Sequence, residues 1–311
     1  KHLQDRLKAI QKIQSKHVLQ IYDLFIIEKK QEVYVGAVEE FIPGDDLTHL
    51  IGEEQNLDWY LRILFQLATG ISDIHKQGIV HRNIKPSNIK IDPEGLIRIL
   101  NFNLACSEGK NIENKKLYES NVVSIYDAPE LRYSLTNCYK QALDTYAFGI
   151  TAAILADKSL SYEGQADESW VPVFDHATFD LPQEVHELLI TTVAIDPEQR
   201  PLMQDVCELL GKYLLQDKHI GIIFDEDRTH IIDASSRTVR LSYPSVGSLD
   251  ISYDGLRFAV RNVEGQVYIN NDKVTFGTYL PGSCVITFGD PDKGSRRHFA
   301  RFDMSNPEVV L

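Results

Sequence analysis

Several functional classes are excluded by what this 311-residue chain lacks. Basic residues are in deficit: 32 Lys and Arg stand against 45 Asp and Glu, a formal net charge of -13. Nucleic acids and anionic membrane surfaces are held through Lys/Arg patches, so neither is an expected partner. Long apolar runs are missing: no stretch of about 18 apolar residues exists, so no membrane insertion is expected. There are only four cysteines, Cys106, Cys138, Cys207 and Cys284, with no CxxC pair and no histidine at zinc-ligand spacing. They read as free thiols in a reducing compartment, which makes the expected location cytoplasmic and the expected metal content none. No signal peptide is visible at the start, although Lys1 rather than Met leaves room for a longer parent chain. No two glycines are spaced as Gly-x-Gly, so no glycine-rich phosphate loop is present. Internal repeats and low-complexity segments are absent too.

What is present suits a soluble globular protein with a full core: 43% apolar and 25% charged residues. Helical spacing of apolar residues runs over Arg6 to Ser15, Leu57 to His75, Thr145 to Ala156, Gln183 to Ile195 and Gln204 to Leu215. Short strands are expected at Leu19 to Ile27 and Glu32 to Glu39. Asp92-Pro93-Glu94-Gly95, between Ile89-Lys90-Ile91 and Ile97-Arg98-Ile99, is a hairpin signal. Beyond Lys218 the texture changes. Eight short strands follow, from Ile220 to Phe224 through Phe299 to Asp303, punctuated by Gly, Asn, Asp and Pro, as in a β-sandwich or barrel. A domain boundary is expected at 217/218.

Six segments carry a resemblance. His81-Arg82-Asn83-Ile84-Lys85-Pro86-Ser87-Asn88 resembles the HRDxKxxN catalytic loop of Ser/Thr protein kinases. Asn101-Phe102-Asn103 falls where that family has DFG, and Ala128-Pro129-Glu130 matches its APE. Asp144 to Gly149 looks like the opening of the family's central helix, Asp196 to Pro201 like its D-P-x-x-R-P, and Glu40 to Gly44 like its hinge. The resemblance covers about residues 1 to 215. It implies a buried Glu130–Arg200 ion pair, an Asp144 that accepts from the catalytic-loop backbone, and His81 packed on Phe102.

The positions that carry the family's chemistry depart from its pattern. The resemblance puts Asn83 where a carboxylate orients and deprotonates the substrate hydroxyl, and a neutral amide cannot be a base. It puts Asn101 where the main magnesium ligand belongs, although Mg²⁺ prefers carboxylate oxygens. Asn103 replaces a glycine; asparagine tolerates positive φ better than most residues. No V-A-I-K segment precedes the first helix, Arg6 (beside Asp5) stands at the position of the ion-pairing Glu, and Glu39 is an acidic gatekeeper. Val122-Val123 replaces the Gly-Thr before Tyr126. Arg82 is kept and could pair a phosphate on Ser120 or Ser124. Lys85 and Asn88 persist as candidate contacts to a nucleotide phosphate.

These substitutions lead to the expectation of a pseudokinase: no enzyme, no cofactor, and a scaffold or regulator for protein partners in signalling. The alternatives are an atypical active Ser/Thr kinase, or a pseudokinase that binds ATP, with ATP and Mg as cofactors and an N-lobe completed by sequence outside this chain. For the second region, Val267 to Val274 and Leu280 to Gly289 resemble the end of a forkhead-associated (FHA) domain, and Thr238 to Leu241 with Ser245 to Ser248 its middle. The family's Gly-Arg is missing, and Asp250 stands where its His belongs. Ser248 and Asn270 remain as possible remnants of a phosphothreonine site; Arg237, Arg240 and Arg296-Arg297-His298 read as ordinary surface. The expected fold is therefore α+β: a protein-kinase-like domain over 1–217, with a truncated or degenerate N-lobe and a helical C-lobe, then an all-β, FHA-like sandwich over 218–311.

Overall fold

The computed structural model describes residues 10–29, 32–51, 53, 56–111, 124–132, 138–157, 159–160, 174, 177–226, 228–305 and 309. Asp5, Arg6, Ser120, Val122 and Val123 lie outside these. The chain forms two compact units, residues 1–210 and 211–310.

The first unit opens on an antiparallel ribbon, β1 (Ile21–Lys29) and β2 (Glu32–Glu39), in register from Ile21 opposite Glu39 to Lys29 opposite Glu32. Helix α1 (Leu57–Lys76) follows; Asn56 caps it by accepting from the Trp59 N–H at 2.8 Å. Its apolar stripe, Tyr60, Leu64, Leu67, Ala68 and Ile71, is wholly buried. Four short strands come next: β3 (Ile79–Val80), β4 (Ile89–Ile91), β5 (Ile97–Ile99) and β6 (Cys106–Ser107). β4 and β5 pair as the sequence predicts, and Asp92 accepts from the N–H groups of Glu94 and Leu96 while Gly95 takes φ +85°. Buried His17 lies beside this hairpin: its carbonyl accepts from Ile99 N, and Leu19 N donates to the Ile99 carbonyl.

The rest of the unit is helical: α2 (Pro129–Arg132), α3 (Ala142–Ala156), α4 (Gln183–Thr192) and α5 (Met203–Leu214). Fourteen of the fifteen residues of α3 are buried, which suits a central helix that is apolar all round. Gly149 lets α4 approach: a Cβ there would stand 2.2 Å from Thr192 Oγ1. α4 stops short of the predicted Ile195. Thr191 and Thr192 turn their hydroxyls back onto the carbonyls of Leu188 and Leu189, and Asp196-Pro197 follows. No helix among the described residues is long and apolar enough to cross a membrane.

The second unit is β-rich. Its strands are β7 (Gly221–Asp225), β8 (Arg228–Ile232), β9 (Thr238–Tyr243), β10 (Gly247–Tyr253), β11 (Phe258–Gly265), β12 (Val267–Ile269), β13 (Asp272–Lys273), β14 (Ser283–Phe288) and β15 (His298–Met304). They form a three-stranded sheet, β11-β10-β9, and a six-stranded sheet, β13-β12-β14-β15-β7-β8. One core fills the unit, with Ile223, Leu249, Ile251, Val260, Ile286, Phe288 and Phe302 buried together. β13 was not foreseen, being too short to show alternation. It returns from β12 through Asn270 and Asn271, both at positive φ, as a two-residue hairpin needs. The packing division falls within α5, whereas the change in sequence texture comes after it.

Candidate functional site

The segment from His81 to Asn88 leaves β3 and is held from behind by one carboxylate. Asp144, fully buried on α3, accepts from the backbone N–H groups of His81 and Arg82 at 2.7 Å each and from His75 Nε2 at 2.9 Å. Burial alone would raise its pKa; the hydrogen bond and charge of His75 and the Arg82 N–H outweigh burial and hold it below the ordinary 3.8. Arg82 sits at φ +66°, a costly conformation for a long side chain. It is fixed there by the bond to Asp144, by Nη1 donating to the Leu104 carbonyl at 3.0 Å, and by its guanidinium 3.7 Å from the Tyr139 ring centre.

The His81 ring meets Phe102 edge to face at 4.6 Å. Nε2 lies 3.0 Å from the Leu100 carbonyl and Nδ1 accepts from Asn83 N at 3.2 Å. These partners assign the proton to Nε2, and burial lowers the pKa so that the ring stays neutral. Glu130 and Arg200 form the expected pair through two bonds of 2.7 and 2.8 Å. Arg200 also donates to the carbonyls of Ala142 and Ala194 and lies over the Tyr146 ring, so its donors are met in a buried place.

The remaining motif residues of this segment and of the turn at 101–103 are different in kind. Asn83 and Lys85 are half-buried, Asn88 is buried, and Asn101 and Asn103 are exposed. Asn88 Nδ2 donates to the Asn83 carbonyl at 2.8 Å, and Asn101 Nδ2 donates to Asn88 Oδ1 at 3.1 Å. Leu100 N donates to the Asn88 carbonyl, which brings Asn101 alongside. Asn101, not Asn103, takes the left-handed backbone at φ +64°, correcting the expectation attached to the glycine position. Residues 102–104 form a tight 3₁₀ turn, and the turn's entry carries the unusual φ instead.

Sequence reasoning missed Asp127. Its carboxylate accepts from Ser124 N at 3.1 Å; burial raises its pKa, opposed by that bond and by the charges of Arg132, Arg82 and Lys85. No motif position marks it. Around the hinge, Glu39 is exposed, Glu40 Oε2 lies 3.8 Å from Arg98 Nε, and Lys90 Nζ donates to the Ile42 carbonyl. In the second unit, Ser248 is buried, accepting from Arg240 and donating to Glu264, while Asn270 Oδ1 accepts from Val285 N. Both remnants are thus engaged in internal bonds. Arg240 also approaches Asp250, at 3.6 Å.

Comparison with known proteins matches the protein kinase domain family to residues 1–212. Human receptor-interacting serine/threonine-protein kinase 3 is 24% identical over 288 residues, 84% of this chain and 54% of that protein. CBL-interacting serine/threonine-protein kinase 19 of Arabidopsis thaliana is 22% identical over 272 residues, 82% of this chain and 54% of that protein. The probable serine/threonine-protein kinase nek2 of Dictyostelium discoideum is 27% identical over 225 residues, 67% and 51% respectively. The chain therefore spans about half the length of these relatives. The expectation of a protein that is not an enzyme is overturned by this match, because the family is that of protein kinases and these relatives are serine/threonine-protein kinases by name. The chain belongs to the protein kinase family.

Proposed function

We propose that the chain is an atypical Ser/Thr protein kinase that binds ATP beside Asn83, Lys85, Asn88 and Asn101 and transfers its terminal phosphoryl group slowly to a hydroxyl. The observation that carries this reading is the catalytic loop itself. Its backbone is fixed on Asp144 while Asn83 and Lys85 stay partly open to solvent. Lys85 supplies positive charge for the phosphates. Asn83 has nearly the shape of aspartate, and its side-chain carbonyl can accept from the substrate hydroxyl and orient it. It takes no proton, so the hydroxyl proton passes to a phosphoryl oxygen as the new P–O bond forms and the bond to the departing diphosphate breaks. Loss of a general base slows such a step by roughly 10²- to 10⁴-fold.

We further propose that sequence outside this chain completes the N-lobe around the ribbon, and the ribbon's exposed faces support this. Tyr22, Phe25, Ile26, Ile27, Tyr34 and Val38 are exposed on β1 and β2, and a two-stranded ribbon alone is marginally stable. Further strands from sequence beyond this chain would cover them and complete an N-lobe. The second unit is read as an FHA-like module that holds a protein partner, a reading supported by its two sheets around one core and by the motif at Val267 to Gly289.

ADP release from ATP in the presence of a mixed protein substrate tests the proposal, with Asn83→Asp beside the natural chain. The expected result is slow turnover that rises by roughly 10²- to 10⁴-fold in the variant. Absence of both ATP binding and ADP release from both proteins would sink it.

A further inference from the structure

We infer that the contact between Asn88 and Asn101 is closed by an amide hydrogen bond in place of a divalent cation, so that a nucleotide held at these residues is held without one. The inference deepens the reading above and depends on it for the nucleotide.

Hydrogen-bond polarity carries the argument. The Asn83 backbone carbonyl can only accept, so the end of the Asn88 amide that faces it at 2.8 Å is the NH₂ end. The other end, Oδ1, therefore faces Asn101 at 3.1 Å, and an oxygen there needs a donor. Asn101 meets it with Nδ2. The two amides thus orient each other in sequence, starting from a backbone group whose role is fixed. Asn88 is buried, and the Leu100 N–H on its own carbonyl holds the Asn101 segment against it.

An aspartate at 101 would leave two acceptor oxygens confronting each other across the same gap. A cation between them would be needed to relieve the repulsion, as it is in the carboxylate-bearing arrangement the family pattern implies. Asparagine puts a hydrogen there. One amide oxygen, Oδ1 of Asn101, is left over. Mg²⁺ demands near-octahedral oxygen ligation, usually with one or two carboxylates. The donor set does not fit it, and no group of three or more His, Cys, Asp or Glu among the described residues could hold a metal. Charge for the phosphates falls instead to Lys85 in the same loop.

Two measurements on the whole chain test this. In the first, ATP is titrated calorimetrically in Mg²⁺ and in EDTA; the dissociation constants are expected to agree within about threefold, and weakening by about tenfold or more in EDTA overturns the inference. The second uses no nucleotide. Asn101→Asp and the natural chain are compared by thermal shift in EDTA and with rising Mn²⁺. The variant should melt below the natural chain in EDTA and recover with Mn²⁺, while the natural chain stays unmoved. Stabilisation of the natural chain by Mn²⁺, or a variant that melts with it and ignores Mn²⁺, overturns the inference. Were no ATP bound in either buffer, the kinase reading would fall, and the Mn²⁺ comparison would still decide the role of Asn101.

Discussion

The catalytic loop is built from two chemistries. Behind it, full charges sit in the core: Asp144 under the backbone of His81 and Arg82, and Glu130 against Arg200. In front, three asparagines link to one another through neutral amides. The buried charges set the path of the chain and tolerate no loss of a partner. Of the front residues Asn88 is buried, Asn83 half-buried and Asn101 exposed, and they can change their character while the path stays the same. A site can thus keep its geometry and alter its chemistry, since different residues hold each.

Breaking the rear should cost most. Arg200→Met leaves Glu130 charged and buried, and an unpaired buried charge typically costs about 3–5 kcal/mol. Replacing both partners with apolar residues should cost well under the sum of the single losses; urea unfolding of the two single variants and the double one checks this. Equal additivity would mean that the pair does not act as a unit.

Acid should separate the regions next. Burial lowers the His17 pKa from 6.5 to about 4, so between those values the unfolded chain binds the extra proton and the folded chain does not. Stability is then present above 6.5 and lost as pH falls toward 4, by a few kcal/mol at most. Asp144 has the opposite kind of group and the same direction: its contribution is present above 3.8 and lost as pH falls through its lower folded value. Urea melts across this range should show the first loss vanish in His17→Leu. A wild-type curve that is flat between 6.5 and 4 would refute it.

Asn103, which takes no part in the linked amides, should be nearly silent in stability. Asn103→Gly sits on an exposed residue whose φ is not positive, so glycine relieves nothing there and should change stability by no more than about 0.5 kcal/mol. A clear gain on thermal melting would show that Asn103 is strained after all.

Much of this was legible in the chain because the rear is periodic or bipartite. The stripe of α1 and the alternation of the second unit follow from burial on one face, and the Glu130–Arg200 pair is written in two motifs far apart in sequence. The front was less legible. Identity at 101 and 103 does not say which residue takes the left-handed backbone, because the 3₁₀ turn that follows decides it. Nor does it say that Asn101 would turn its NH₂ toward Asn88, a choice made by a carbonyl at Asn83. The end of α4 was misplaced for a similar reason: two threonine hydroxyls compete with the helix, and apolar spacing does not register them. Asp127 has no spacing at all to announce it.

The β1–β2 ribbon bears on how the protein behaves in a tube. Its exposed Phe25, Ile26, Ile27 and Tyr34 offer a template for edge-to-edge pairing between molecules. What opposes that is the net charge of -13, which keeps copies apart at long range. Added salt shortens that repulsion to about 10 Å at 0.1 M. Colloidal behaviour is then a contest between one sticky ribbon and the whole molecule's charge, and ionic strength tips it.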